Sequence, residues 1–251
     1  MTTLPFLLVS TRPEDDIAEE EHETFCRFSG LDAAQLRHIR LERSEEATRV
    51  LAAIDLGQYS GVFVGGSPFN TSTPQQDKTA TQVRVELSLR NLLDRVMADC
   101  VPFFGACYGV GTLGVHQDGV VDQTYGEEVG AIAVTVTDNG AHDPLLTNLP
   151  QTFHAYVGHQ EAIRKLPPQA VLLATGENCP VQMFRVGASA YATQFHPELD
   201  AAGLINRVEA YKHHGYFPAE DVEKVKRQVR EGPPVHVPAR LLSAFVATFA
   251  R

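Results

Sequence analysis

Four short β-rich runs, LPFLLVS at 4–10, HIRLE at 38–42, SGVFVGG at 60–66 and VPFFGA at 101–106, alternate with amphipathic segments in the first half of the chain. The helical pattern is clearest over 81–97. There Val85, Leu89, Leu92, Leu93 and Val96 recur at three- and four-residue spacing and so share one face. Parallel neighbours in a sheet need crossover connections, which helices supply. The alternation therefore predicts an α/β fold with a three-layer, mostly parallel sheet and helices on both faces. Ligands of such sheets collect beyond the carboxyl ends of the strands. Gly65-Gly66 and Gly105-Ala106-Cys107 lie at two of those ends.

The rhythm changes in the second half. AIAVTVTD (131–138), AVLLAT (170–175), VQMFRV (181–186) and SAYATQF (189–195) read as strands joined by loops, so part of this region is expected to be antiparallel. Three apolar helical stripes follow: Leu204, Val208 and Tyr211; Val222, Val225 and Val229; Leu241, Leu242, Phe245 and Phe249. A stiff EGPPVHVP segment at 231–238 precedes the last. The 251 residues contain no domain boundary before about residue 200. The reading is one domain over 1–251, with 201–251 as a helical C-terminal extension packed through its apolar faces.

A net charge of −10 and the absence of any basic run argue against nucleic-acid and anionic-membrane partners, which need clustered Lys and Arg. The acidic run from Pro13 to Glu23 reads as the solvated start of a helix. The apolar stretch from Leu4 to Val9 lacks a preceding positive region and is too short for a signal or an anchor, so a cytoplasmic location is expected. Cys26, Cys100, Cys107 and Cys179 are scattered with no CxxC pair. That spacing suggests reduced thiols, with neither a disulfide framework nor a zinc site. No metal or organic cofactor is expected.

One thiol stands apart. In VPFFGACYGVGTLG, Cys107 sits where a buried strand turns into a glycine-spotted helix. Such a turn holds the side chain out of the strand end and aims the sulfur at the positive end of the helix, which favours thiolate. Gly105 and Gly109 fit a tight elbow of this kind. A partner is offered by QFHPE at 194–198. Residues two apart in extended chain project to one side, so His196 and Glu198 can sit together. Glu198 then orients the imidazole while its other nitrogen faces the thiol, giving a Cys–His–Glu relay.

GACYG followed by QFHPE resembles the signature of the class I glutamine amidotransferases, in particular the glutaminase domain of GMP synthase and its free-standing relatives. The likeness extends over roughly 45–200 and includes FVGGSP, GEEVGAI, GHQEAIRKLP and CPVQMFRVG in the family's order. It implies a flavodoxin-like amidotransferase fold, with Cys107, His196 and Glu198 as the triad. It also implies attack of Cys107 on the side-chain amide of glutamine, loss of ammonia, and a glutamyl thioester that water hydrolyses. The oxyanion formed on this path needs N–H donors. By resemblance these are Tyr108 and a residue of the GGSP turn, either Gly66 or Ser67. His159 and Glu161 align with a family segment that borders the glutamine pocket.

The match breaks at Gly111, where such amidotransferases carry a glutamine that helps hold the substrate's amino-acid end. The chain also lacks the length and the phosphate-cradling loop of an ATP-using synthetase half. The resemblance therefore implies a free-standing glutamine-type γ-amide hydrolase whose ammonia, if used, goes to a docked synthetase partner. A γ-glutamyl peptidase acting on glutathione-like compounds is the alternative, favoured by the GSP turn and the room at Gly111. A non-catalytic regulatory relative is the third reading, disfavoured by retention of all three triad residue types.

Overall fold

The computed structural model describes residues 3–251. Its strands are β1 (Phe6–Ser10), β2 (Leu36–Arg40), β3 (Gly61–Val64), β4 (Phe103–Ala106), β5 (Val120–Asp122), β6 (Glu127–Val136), β7 (Thr152–His159), β8 (Ala162–Lys165), β9 (Ala170–Gly176), β10 (Met183–Val186) and β11 (Ala190–Thr193). Its helices are α1 (Asp15–Ser29), α2 (Glu45–Ala53), α3 (Ala80–Ala98), α4 (Tyr108–His116), α5 (Asp138–Ala141), α6 (Ala201–Ala210), α7 (Val222–Glu231) and α8 (Ala239–Phe249).

Nine strands form one sheet in the order β2-β1-β3-β4-β11-β10-β9-β6-β7. The first five are mutually parallel, and the rest pair antiparallel. The parallel half follows the 2-1-3-4-5 order of flavodoxin-like sheets. β5 and β8 form a separate antiparallel pair. The expected three-layer α/β arrangement and its antiparallel second half are both present.

The parallel strands are apolar on both sides because helices cover both faces. Leu7, Val9, Val62, Val64 and Phe103 face the cluster that contains Val85, Leu89, Leu92, Leu93 and Val96 of α3. Phe6, Leu8, Phe63 and Phe104 face the other way, onto Phe25 of α1 and Leu241, Leu242 and Phe245 of α8. The ring of Phe245 lies 5.2 Å from Phe63 and 5.6 Å from Phe104 between centroids. The last helix is thus part of the main core. Fully burying one such aromatic stabilises the fold by about 1.5–3 kcal/mol.

The acidic run at 13–23 is only partly solvated. Ile17, Glu21 and Phe25 recur at four-residue spacing on the inner face of α1, and Glu21 is fully buried. Its carboxylate is held there by Arg12, at 3.0 Å, and Arg207, at 3.2 Å. Two buried cations offset the desolvation that otherwise keeps a glutamate at the surface.

Candidate active site

β4 and β11 are parallel neighbours with Ala106 opposite Thr193, so the residues that follow each strand emerge side by side. The Cys107 N–H donates to Thr193 O at 2.7 Å and ties the two strand ends together. Cys107 itself has φ 50° and ψ −91°, in the left-handed half of backbone space that a side chain rarely occupies. This strained turn puts the thiol at the N-terminus of α4. A Cβ on Gly105 would come within 2.8 Å of Gly109 Cα, so the strand can approach the helix only with glycine at 105. A Cβ on Gly109 meets nothing closer than 3.6 Å. Of the two glycines singled out in the sequence, the first is the one the elbow requires.

His196 and Glu198 leave β11 together. His196 Nδ1 lies 2.7 Å from Glu198 Oε1, which leaves Nε2 for Cys107. Both residues are buried. Burial alone would lower the His196 pKa, but the charges of Glu198 and Cys107 outweigh it and push it up to about 9. Burial likewise works against the Glu198 carboxylate, yet His196 and Arg207 together hold its pKa well below the usual range.

A chain of buried charge continues behind the pair. Arg207 Nη1 donates to Glu198 Oε1 at 3.0 Å and Nη2 to Glu21 Oε1 at 3.2 Å. Arg12 Nε donates to the same Glu21 oxygen at 3.0 Å, and Arg12 Nη1 donates to Tyr211 Oη at 3.2 Å. This network passes directly beneath the GGSP turn. A Cβ on Gly65 would fall 2.5 Å from Glu21 Oε2, and one on Gly66 would fall 2.5 Å from Arg12 Nη2 and 2.9 Å from His196 Cε1. The two glycines are where the ion pair and the imidazole need space. None of Arg12, Glu21, Arg207 and Tyr211 is a site candidate on the sequence alone, where Glu21 reads as part of a solvated acidic run and Tyr211 as part of an apolar helical stripe.

Tyr108 opens α4, so its N–H has no acceptor within the helix. Ser67 lies beside Cys107, and its Oγ accepts from Phe69 N at 3.0 Å. His159 and Glu161 sit on the opposite side of Cys107 from His196. Both are buried and committed to the protein. Glu161 Oε1 accepts from Thr71 N at 2.7 Å and Thr71 Oγ1 at 2.5 Å, while Oε2 accepts from Ser72 N at 2.7 Å. His159 lies 2.9 Å from Glu127 Oε2 through Nε2 and 3.0 Å from Glu161 O through Nδ1. Glu127, His159 and Cys179 bring potential ligand atoms within 4.8 Å of one another. Gln182 Nε2 also donates to Glu127 Oε2, at 2.7 Å, so hydrogen bonds within the chain account for this cluster. At Gly111 a Cβ would collide with Thr71 Oγ1 and come within 3.2 Å of Glu161 Oε1. The loop at 70–72 fills the space that a side chain at 111 would take.

Two hollows meet at Cys107. Cys107, Ser67, Gly158 and Tyr216 border both. His196, Arg12 and Arg207 border only the first, and Gly111, His159, Glu161 and Gln194 only the second. On the second side, Tyr108 Oη and Gln194 Oε1 are buried without a hydrogen-bond partner among the described residues. Tyr216 spans the junction. Burial and the nearby Cys107 push its phenol pKa up.

The family model described as glutamine amidotransferase class-I matches residues 33–203. The chain belongs to the class I glutamine amidotransferase family. Among curated relatives of this amidotransferase, the glutamine-hydrolysing GMP synthase of Thermosipho africanus is 32% identical over 108 residues, 42% of this chain and 20% of that one. The corresponding enzyme of Porphyromonas gingivalis strain ATCC 33277 is 33% identical over 148 residues, 58% of this chain and 26% of that one. The matched region thus spans about a fifth to a quarter of those relatives. A glutamine amidotransferase from Thermotoga maritima superposes with a TM-score of 0.70 at 20% identity, covering 98% of both chains. One from Methylobacillus flagellatus gives 0.68 at 14% identity, covering 100% of this chain and 96% of that one. These likenesses establish the amidotransferase fold. Among the described residues of this amidotransferase, no helix is long and apolar enough to cross a membrane.

Proposed function

We propose that this amidotransferase hydrolyses the γ-amide of glutamine-type substrates through Cys107, His196 and Glu198. The observation that carries this reading is the placement of His196, which is paired with Glu198 through Nδ1 and borders the same hollow as Cys107, at the carboxyl end of the sheet's parallel half. Cys107 thiolate adds to the γ-carbonyl, and the oxyanion is taken by the N–H of Tyr108 and that of Gly66 or Ser67. Collapse breaks the C–N bond as imidazolium Nε2–H gives its proton to the amine. Water, deprotonated by the same nitrogen, then cleaves the thioester to glutamate. The substrate's amino-acid end lies on the Gly111 side. Gln194 Oε1 and Tyr108 Oη are the open polar groups there, in place of the family's glutamine.

With glutamine the leaving group is ammonia, and a synthetase docked over the cleft would consume it. A cytoplasmic setting suits this reading. A γ-glutamyl peptidase is the second reading, favoured by the hollow of about 50 Å³ on the His196 side of Cys107. Assay of glutamate release from glutamine and glutathione, with Cys107→Ala as control, tests the proposal. Release of glutamate that the variant abolishes supports it. Equal rates in both proteins, or alkylation of half-buried Cys107 no faster than that of exposed Cys100, would sink it.

A further inference from the structure

We infer that the His196 side of Cys107 is a carboxylate-binding subsite for the leaving amine, with Arg12 as its receptor. The inference rests on the hydrolase reading above. The amine must depart on the side of the imidazole that protonates it, and His196 borders only one of the two hollows that meet at the thiol. The acyl group therefore occupies the Gly111 side, and whatever is joined to the γ-carbonyl nitrogen occupies the other.

That other hollow is built for more than ammonia. It holds about 50 Å³, whereas about 10–15 Å³ of such space accommodates one water-sized molecule. Its wall includes Leu204, Val208, Tyr216 and Phe217, which offer carbon surface. Besides Cys107 and His196, its charged members are the guanidinium groups of Arg12 and Arg207.

The two arginines differ in the terminal nitrogens they have left to give. Both Nη atoms of Arg207 are engaged, by Glu198 and Glu21. Arg12 is 3% exposed, and its Nε and Nη1 are bound to Glu21 and Tyr211. Its Nη2 donates no hydrogen bond among the described residues and lies beside Gly66 and His196 Cε1. The carboxylates that face this group are Glu21, which meets Nε, and Glu198, which is held by Arg207 and His196. A buried guanidinium fixed on two sides with a free donor edge is preorganised for an incoming carboxylate. The chemistry then assigns the substrate as a γ-glutamyl amide of a small amino acid. Cys107 takes the glutamyl group, the C–N bond breaks, His196 protonates the departing amino acid, and water returns glutamate.

The test compares the wild-type protein on γ-glutamylglycine and γ-glutamyl-β-alanine, their carboxamides, and glutamine. The better acid should exceed its own carboxamide and glutamine in kcat/KM by about tenfold to a hundredfold, the range of one charge-assisted hydrogen bond. Arg12→Met should collapse the acid-to-carboxamide ratio toward one, and Arg12→Lys should restore part of it. The wild-type ratio stands even if either variant fails to fold. Hydrolysis of glutamine with no preference for the acids overturns the subsite and leaves the hydrolase reading intact. Cys107-independent or absent turnover of every compound overturns both.

Discussion

Arg207 Nη1 and His196 Nδ1 converge on a single oxygen, Oε1, of Glu198, at 3.0 and 2.7 Å. Glu198 is therefore an anion fixed by two cations, and its depressed pKa follows from both. Arg207→Met leaves Glu198 and Glu21 buried with one partner fewer, a change that costs about 3–5 kcal/mol. At roughly 2–4 °C per kcal/mol for a chain of this size, the melting temperature should fall by on the order of 10 °C. Glu198 gives its stabilisation above the ordinary glutamate pKa and loses it as pH falls through the lowered folded value. The variant should accordingly unfold at higher pH during acid titration and show an acid limb of activity displaced upward. An unchanged acid limb would remove Arg207 from any role at the site.

His196 has the opposite sign. Its pKa is raised to about 9, so the stabilisation it gives is fully present below the unfolded value near 6.5 and disappears as pH rises through 9. Comparison of wild type with His196→Gln by denaturant unfolding should show a stability gap that narrows by a few kcal/mol between about pH 6.5 and 9. Because Cys107 contributes to the shift, Cys107→Ala should lower the imidazole pKa in an NMR titration. A value that does not move in that variant would separate the thiol from the imidazole.

The elbow and the ion-pair network differ in how far the sequence discloses them. Val85, Leu89, Leu92, Leu93 and Val96 are periodic, and they are the buried apolar face of α3. His196 and Glu198 are two apart in extended chain, so their 2.7 Å contact is local and legible. β7 escapes because, although Phe153, Ala155 and Val157 alternate inward, His154, Tyr156 and Gly158 between them and the scarcity of β-branched residues leave it a weak strand by propensity, and its pairing with β6 supplies what propensity does not. Arg12 and Arg207 are 195 positions apart and meet only through Glu21, a contact no spacing rule encodes. One signal was present: Glu21 falls between Ile17 and Phe25, and Arg207 beside Leu204 and Val208, each a charge on an apolar stripe.

Gly105 and Gly109 make a paired prediction. Alanine at 105 drives a methyl into the backbone of Gly109, and neither side of that contact can yield without moving the nucleophile. Gly105→Ala should destabilise the fold by about 1–3 kcal/mol and displace Cys107, with a large loss of turnover and of thiol reactivity. Gly109→Ala meets only ordinary contacts and should stay close to wild type in both. Thermal melts and iodoacetamide rates on the two variants decide it, and equal behaviour would refute the close approach.

At Gly111 the departure from the family pattern is enforced by Thr71, whose N–H and hydroxyl both donate to Glu161. Gly111→Gln should therefore not yield a better glutaminase. The new Cβ meets Thr71 Oγ1 and must break the clamp on the 70–72 loop, at a cost of about 1–3 kcal/mol. Replacing Thr71 by glycine in the same chain removes the obstructing hydroxyl while keeping its N–H for Glu161. The double variant should regain part of the lost stability and bind glutamine with a lower KM than Gly111→Gln alone. A single Gly111→Gln variant that melts like wild type and hydrolyses glutamine faster would mean that the 70–72 loop yields freely, and that Thr71 does not determine which residue position 111 accepts.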